Sequence, residues 1–379
     1  MATDYHRKKI LAFIISLLFL LMAACASPER AAPSPSQQRT VTDQAGRQVA
    51  VEGRVERIIS GYYISTSVCI ALGAADRLVG IETRADTRPI YALSEPELLE
   101  LPTVGTAKDF SVEACLALKP DLVILPYRLI DLADILAEMG IIVIFVDPET
   151  HGGLVEMVTL IGRAIGETEN AKRLTEWINE TRGDVDALTA GRAGTADAAG
   201  TADAADAAGP ADFSAVTNTA GAANAATRSN VPSVYICGVS SWLTTATDNM
   251  YQSTIIEAAG GLNVASGVEG AGWAVISYEQ LLVFDPDFII IPSEANYGVI
   301  DILSDPMLAG LSTVYNERVY KMPGAFEAWD SPVPSSMLGI KWLLSVLHRD
   351  IYTIDTLRDD AARFYKEFFS IEIDASQIS

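Results

Sequence analysis

A chain of 379 residues, 49% of them hydrophobic and 20% charged, is long enough for two globular lobes with cores of their own. Acidic residues outnumber basic ones 49 to 27, a formal net charge of −22, which argues against nucleic acid or anionic lipid headgroups as the main partner.

The first 24 residues read as a secretory signal. Arg7, Lys8 and Lys9 form a basic start, Ile10 to Met22 an apolar run broken only by Ser16, and Ala23 and Ala24 are small residues before Cys25. That run is shorter than the roughly 20 residues a membrane-spanning helix needs. Leu21-Met22-Ala23-Ala24-Cys25 resembles a bacterial lipobox, which implies a diacylated Cys25 and anchorage on the extracytoplasmic face of the cell membrane. Residues 25–40 are rich in Pro, Ser and Ala and read as a flexible tether.

A first lobe is expected over 41–151, with strands at Arg57–Ser60, Leu78–Ile81, Leu122–Leu125 and Ile141–Val146 and helices near Ser65–Leu72 and Leu132–Met139. Apolar residues at helical spacing from Leu154 to Val185 predict one long bridging helix over 152–188, in which Gly162 and Gly166 are mild breaks. In residues 189–230 the hexapeptide from Gly194 repeats directly from Gly200, and Ala, Gly, Thr and Asp dominate; this reads as a disordered insertion. The second lobe, 231–379, is expected to hold strands at Ser233–Cys237, Ile289–Ile291 and Arg318–Lys321 and a helix at Gln252–Ala259.

An internal match ties the halves together. Glu113 to Pro126 aligns with Glu279 to Pro292 at a fixed offset, the Glu, the Pro-Asp pair, an Ile and the final Pro coinciding. Each copy predicts a short helix stopped by proline and then a strand apolar enough to be covered on both faces. Two copies imply two similar α/β lobes with parallel sheets. Cys69, Cys115 and Cys237 sit in apolar stretches without motif spacing and read as small buried hydrophobes.

In order along the chain, Val41-Thr42-Asp43-Gln44-Ala45-Gly46-Arg47, Arg57 to Ser60, Ala71-Leu72-Gly73, Leu78 to Ile81, Val104-Gly105, Glu113 to Pro126, Trp273 with Glu279, and Asn316 to Tyr320 resemble the periplasmic-binding-protein family that serves iron-siderophore, haem and cobalamin ABC importers. The resemblance covers about 40 to 350, outside the insertion. It implies two Rossmann-like lobes bridged by one long helix and a metal-chelate ligand between them, handed to a permease and its ATPase. In that family an acidic residue on each lobe pairs with permease arginines; Asp131 and Glu294 follow the matching prolines and take that assignment.

Ligands of open α/β sheets sit beyond the carboxyl ends of the strands. The residues there are Tyr62, Tyr63, Arg84, Lys108, Tyr127 and Arg128 in the first half and Ser241, Trp242, Trp273, Tyr297, Phe326 and Trp329 in the second. Aromatic faces with a few cations suit a flat or bulky anionic chelate. An iron-siderophore leads, with cobalamin, haem or an oxyanion such as molybdate as alternatives. His6 leaves with the signal, so only His151 and His348 remain, too few for a bare zinc site; no metal ligand set and no cofactor is expected. There is no Gly-x-Ser-x-Gly, no P-loop and no His-bearing triad candidate, so no catalytic residue is assigned. A monomer is expected. The rival class is a lipid-anchored sensor or enzyme on the same fold.

Overall fold

Short Val- and Ile-rich runs, too apolar to face water on either side, become the strands of two separate parallel sheets. The computed structural model describes residues 38–199, 231–270 and 272–379; the signal, Cys25, most of the tether and residues 200–230 of the insertion lie outside them. The first strands, β1 (Arg39–Thr42) and β2 (Gln48–Val51), form an antiparallel hairpin. Its turn is closed by Asp43, whose Oδ1 accepts from the Ala45 and Arg47 amides, and by Gly46 at φ 77°.

The first lobe contains β3 (Ile58–Ser60), β4 (Leu78–Gly80), β5 (Leu122–Pro126) and β6 (Val143–Val146), in the order β4-β3-β5-β6. In the second lobe, β7 (Ser233–Ile236), β9 (Leu262–Asn263), β11 (Phe288–Ile291) and β12 (Val319–Lys321) run in the order β12-β11-β7-β9, while β8 (Thr244–Ala246) and β10 (Trp273–Val275) pair apart from it. Every pair within both four-stranded sheets is parallel. Counted within its own sheet, each lobe has the strand order 2-1-3-4. The sequence repeat is therefore a repeat of topology: Pro126 ends β5 in one sheet and Pro292 directly follows β11 in the other.

The repeated Pro-Asp has a physical reason in each lobe. The helices Val112–Leu118 and Tyr278–Phe284 end on Lys119 at φ 48° and Asp285 at φ 38°, left-handed positions filled by non-glycine residues. The proline that follows cannot continue a helix. The aspartate next to it then ties the strand it opens to its neighbour. Asp121 Oδ2 accepts from the Glu56 and Arg57 amides, each at 2.9 Å, and Asp287 Oδ2 accepts from the Ser233 amide and hydroxyl at 2.9 and 2.7 Å.

The expected single helix over 152–188 is two helices, His151–Ile165 and Thr168–Ala199. Gly166, at φ 86°, caps the first and turns the chain back, so the apolar spacing continues on both sides of a reversal that periodicity cannot register. The second helix is the strut, and it extends through residues 189–199, which the composition assigned to the insertion. Its 32 residues span about 48 Å. Near its start, Asn170 Nδ2 donates to the Leu72 carbonyl of the first lobe at 3.0 Å. Farther along, Trp177 packs on Phe364 with ring centroids 4.3 Å apart. One core cluster runs from Leu72 through Leu174, Ile178 and Val185 to Leu343 and Phe364, so both lobes share the strut's buried face.

Gly162 allows the two helices to meet closely: a Cβ there would lie 2.3 Å from that of Ala171. Gly162→Ala should therefore cost about 1–3 kcal/mol by overpacking, instead of gaining the roughly 1 kcal/mol such a change gives in an open helix. A urea unfolding midpoint above that of wild type would contradict this packing. Cys69, Cys115 and Cys237 are buried free thiols, held in the protonated form as burial pushes them up to about 12, 11 and 12.

Candidate functional site

In a 2-1-3-4 sheet, the crossover direction reverses between strands 1 and 3, and the loops leaving those strands part to form a crevice. Here that places the crevices beyond β3 and β5 in one lobe and beyond β7 and β11 in the other. At each, one residue extends the ladder past the strand: the Gly61 amide donates to the Ile124 carbonyl at 3.0 Å, and that of Cys237 to Ile290 at 2.8 Å.

The loops meet across the lobes. Tyr63 and Ser67 come from the helix Tyr63–Ala71, and Arg88 precedes the short helix Pro89–Ser94. Ser293 and Glu294 follow β11, while Phe326, Glu327 and Ser331 follow β12. The Tyr63 hydroxyl donates to Ser331 Oγ at 2.9 Å, Ser67 Oγ donates to Glu327 Oε1, and Arg88 Nη1 is ion-paired with Glu294 Oε1. The Arg88 guanidinium stacks over the Tyr63 ring, 3.9 Å from its centroid. Between these contacts lies a cavity of about 200 Å³, lined also by Thr87, Tyr91, Gly324 and Val333.

Its electrostatics are those of one cation among buried acids. Glu327 lies between Ser67 and Ser335, whose Oγ donates to Oε2 at 2.5 Å. Burial pushes its carboxyl up to about 7, against the pull of those hydroxyls and of Arg88. Burial, then Glu294, pushes Asp330 up to about 6. Burial also raises Glu82, which accepts from Tyr91 Oη and Thr66 Oγ1, both at 2.7 Å.

A second, larger cavity of about 620 Å³ is lined by Trp177, Asp184 and Leu188 of the strut and by Lys341, Tyr352 and Phe364. Among the described residues no strand-end loop contributes to it, and both of its cations are held by one acid: Asp360 holds Lys341 at 2.5 Å and also pairs with Arg363. Of the two, the smaller is the one walled by strand-end loops.

Of the residues assigned from sequence, Tyr63, Phe326 and Glu294 line the interlobe cavity. Tyr62 packs edge-on against Tyr63 at 5.3 Å, close to Arg128, Asp147 and Glu149, and burial raises its hydroxyl. Tyr127, Arg128 and Asp131 are exposed just past β5. Arg84 and Lys108 are exposed and line neither cavity; Arg84 adopts φ 71° at the start of a short 3-10 turn. Ser241 and Trp242 lie in the loop after β7, where Trp242 packs edge-on to Tyr297 at 5.3 Å. Trp273 is 40% exposed on β10.

Two assignments are corrected by burial. Trp329 is a core residue, 1% exposed, whose Nε1 donates to Tyr365 Oη at 2.9 Å. Tyr297 is buried within the second lobe and donates its hydroxyl to the Gly238 carbonyl at 2.5 Å. Glu294 follows its matching proline as expected, but its carboxylate faces Arg88 across the cavity. Sequence reasoning missed Arg88, Ser67, Ser293 and Glu327. The available signal was Arg88-Pro89, a proline that opens a helix soon after a strand end.

Residues 58–241, from β3 through the strut to the loop after β7, match the family model described as periplasmic binding protein. The chain carries a periplasmic binding protein domain. This binding protein is 23% identical over 336 residues to the molybdate-binding protein MolA of Haemophilus influenzae, covering 87% of its own length and 91% of the relative. It is 26% identical over 180 residues to YvrC of Bacillus subtilis, described as an uncharacterized ABC transporter substrate-binding lipoprotein; that match covers 45% of this chain and 55% of the relative. Its fold superposes on a periplasmic solute binding protein from Veillonella parvula with a TM-score of 0.71 and 24% identity, covering 90% of this chain and 95% of the other. The two-lobed α/β architecture with parallel sheets is thus that of the periplasmic binding proteins.

Proposed function

We propose that this binding protein captures a compact, metal-containing solute between its lobes and delivers it to the permease and ATPase of an ABC importer. The observation that carries the reading is the interlobe cavity itself, walled by strand-end loops of both lobes and crossed by three side-chain contacts. A volume of about 200 Å³ falls below the roughly 300–1,000 Å³ of most small-molecule sites. That size supports a metal oxyanion or small chelate over a haem or a cobalamin, and MolA, the relative matched over most of the chain, binds molybdate.

The larger ligand first expected, an iron-siderophore, is supported by one feature: Tyr127, 45% exposed just past β5, and Trp273, 40% exposed on β10, offer aromatic faces outside the cavity. A strut packed on both lobes favours modest closure over a wide hinge. Delivery to a permease gives Asp131, exposed past β5, a docking role, and the YvrC match supports a lipid anchor on Cys25.

Thermal-shift and calorimetric titration of the mature chain with sodium molybdate, a ferric catecholate, haemin and cyanocobalamin tests the reading. Molybdate at 100 times its dissociation constant should stabilise the protein by about 2.7 kcal/mol, and Asp131→Lys should leave that affinity unchanged while lowering uptake in cells. Binding of the bulky chelates alone would overturn the compact-solute reading. Chemical conversion of the bound solute would overturn the transport reading.

A further inference from the structure

We infer that the solute carries an anionic group that replaces the Glu294 carboxylate at Arg88, with Ser293 as a second donor. This rests on the uptake reading and narrows its ligand to an anion.

Among the described residues, Arg88 is the one cation lining the interlobe cavity. Its guanidinium is held before any ligand arrives, stacked on Tyr63, which is itself fixed by its hydrogen bond to Ser331. A planar guanidinium carries five N–H donors in a fork that fits carboxylates and oxyanions, and a pre-positioned fork loses little freedom on binding them. Glu294 now takes up part of that fork through Nη1.

Glu294 has the properties of a placeholder. Its side chain is 38% exposed, it stands on the loop after β11, and Arg88 is its side-chain partner. A partly exposed ion pair of this kind contributes little to stability, so an incoming anion displaces it at small cost and the carboxylate swings into water. Beside it, Ser293 Oγ is buried without a hydrogen-bond partner among the described residues, while Ser293 lines the same cavity. A buried unpartnered hydroxyl is costly unless something fills it, and an anion's oxygen would accept from it.

Burial weakens the acids facing Arg88. Glu82, Glu327 and Asp330 all lie within its field and burial raises each of them; Glu327, pushed up to about 7, is partly protonated near neutrality. Tyr63 and Tyr91, also in that field, are raised by burial and stay neutral.

The test is a thermal-shift titration of wild type, Glu294→Ala, Arg88→Gln, Ser293→Ala and the Glu294→Ala/Arg88→Gln double variant with sodium molybdate and, as a carboxylate mimic, sodium acetate. Glu294 is exposed enough that its truncation leaves the fold intact. With the placeholder gone, Glu294→Ala should bind molybdate up to ~5-fold more tightly than wild type and should also respond to acetate. Arg88→Gln and the double variant should lose both responses, and Ser293→Ala should weaken molybdate binding. A double variant that responds like Glu294→Ala, or a Glu294→Ala protein that responds to neither anion, overturns the inference. Arg88-dependent anion binding in Glu294→Ala without any solute bound by wild type would keep the inference and sink the uptake reading. A wild-type solute bound with equal affinity in all four variants would do the reverse.

Discussion

Truncating Trp329 to alanine should lower folding stability by about 3–5 kcal/mol. The indole is 1% exposed and donates to Tyr365 Oη at 2.9 Å. Tyr365 belongs to the amphipathic helix Ile354–Phe368, which buries Leu357, Ala361, Phe364, Tyr365 and Phe368. Packing behind Trp329 is tight enough that a Cβ on Gly339 would fall 2.4 Å from its carbonyl oxygen, so the truncation leaves a hole that the surroundings cannot close. The loss should appear as a lowered urea midpoint with an unchanged slope. Normal stability with lost solute binding would return Trp329 to the ligand site and remove the distinction drawn between it and Phe326, which lines the cavity three residues earlier.

Glu327→Gln should remove a large part of the pH dependence of stability between about pH 4.5 and 7. Glu327 ionises ordinarily at 4.5 and is pushed up to about 7 in the fold by burial. Between those values the native state holds a proton that the unfolded chain has already lost, so native stability falls as pH rises through that window. At about 1.4 kcal/mol per pH unit, the full effect is on the order of 3 kcal/mol, reached above the folded pKa. Asp330, raised to about 6, adds a change of the same sign. Glutamine can donate to one serine hydroxyl and accept from the other, keeping both the Ser67 and Ser335 contacts without a charge to desolvate. The melting temperature of Glu327→Gln should therefore exceed that of wild type at pH 8 and match it near pH 5. Parallel curves for the two proteins would mean that Glu327 is not the source of the slope.

The elements most easily read from sequence were those fixed by local chemistry. The helix, Pro-Asp turn and buried strand recur because a proline stops each helix, which acts within a few residues, while the aspartate beside it pins each strand to one 54 to 65 residues earlier in the chain. The long-helix expectation failed at Gly166 because periodicity reports which face is apolar, and that face is unchanged when the chain doubles back and buries both helices together. The site was legible only in part. Residues directly beyond the strands include Tyr63 and Glu294, but Arg88 enters the cavity from a loop farther on, while Arg84, nearer the strand end, lies outside it. Nothing in the residue types separates those two arginines. Trp329 was misread for the same reason: its loop sits beside the cleft, and what covers the indole is a helix that begins 25 residues later in the chain, at Ile354.

The central claim is that loops of both lobes hold one solute between them. A crystal structure of the chain loaded with the solute it binds most tightly tests that directly. The account predicts density in contact with Arg88 and Tyr63 from one lobe and with Ser293 or Phe326 from the other, with Glu294 turned away from Arg88. Solute lodged instead against Trp177, Lys341 and Phe364 on the strut, with the Arg88–Glu294 pair intact, would contradict it.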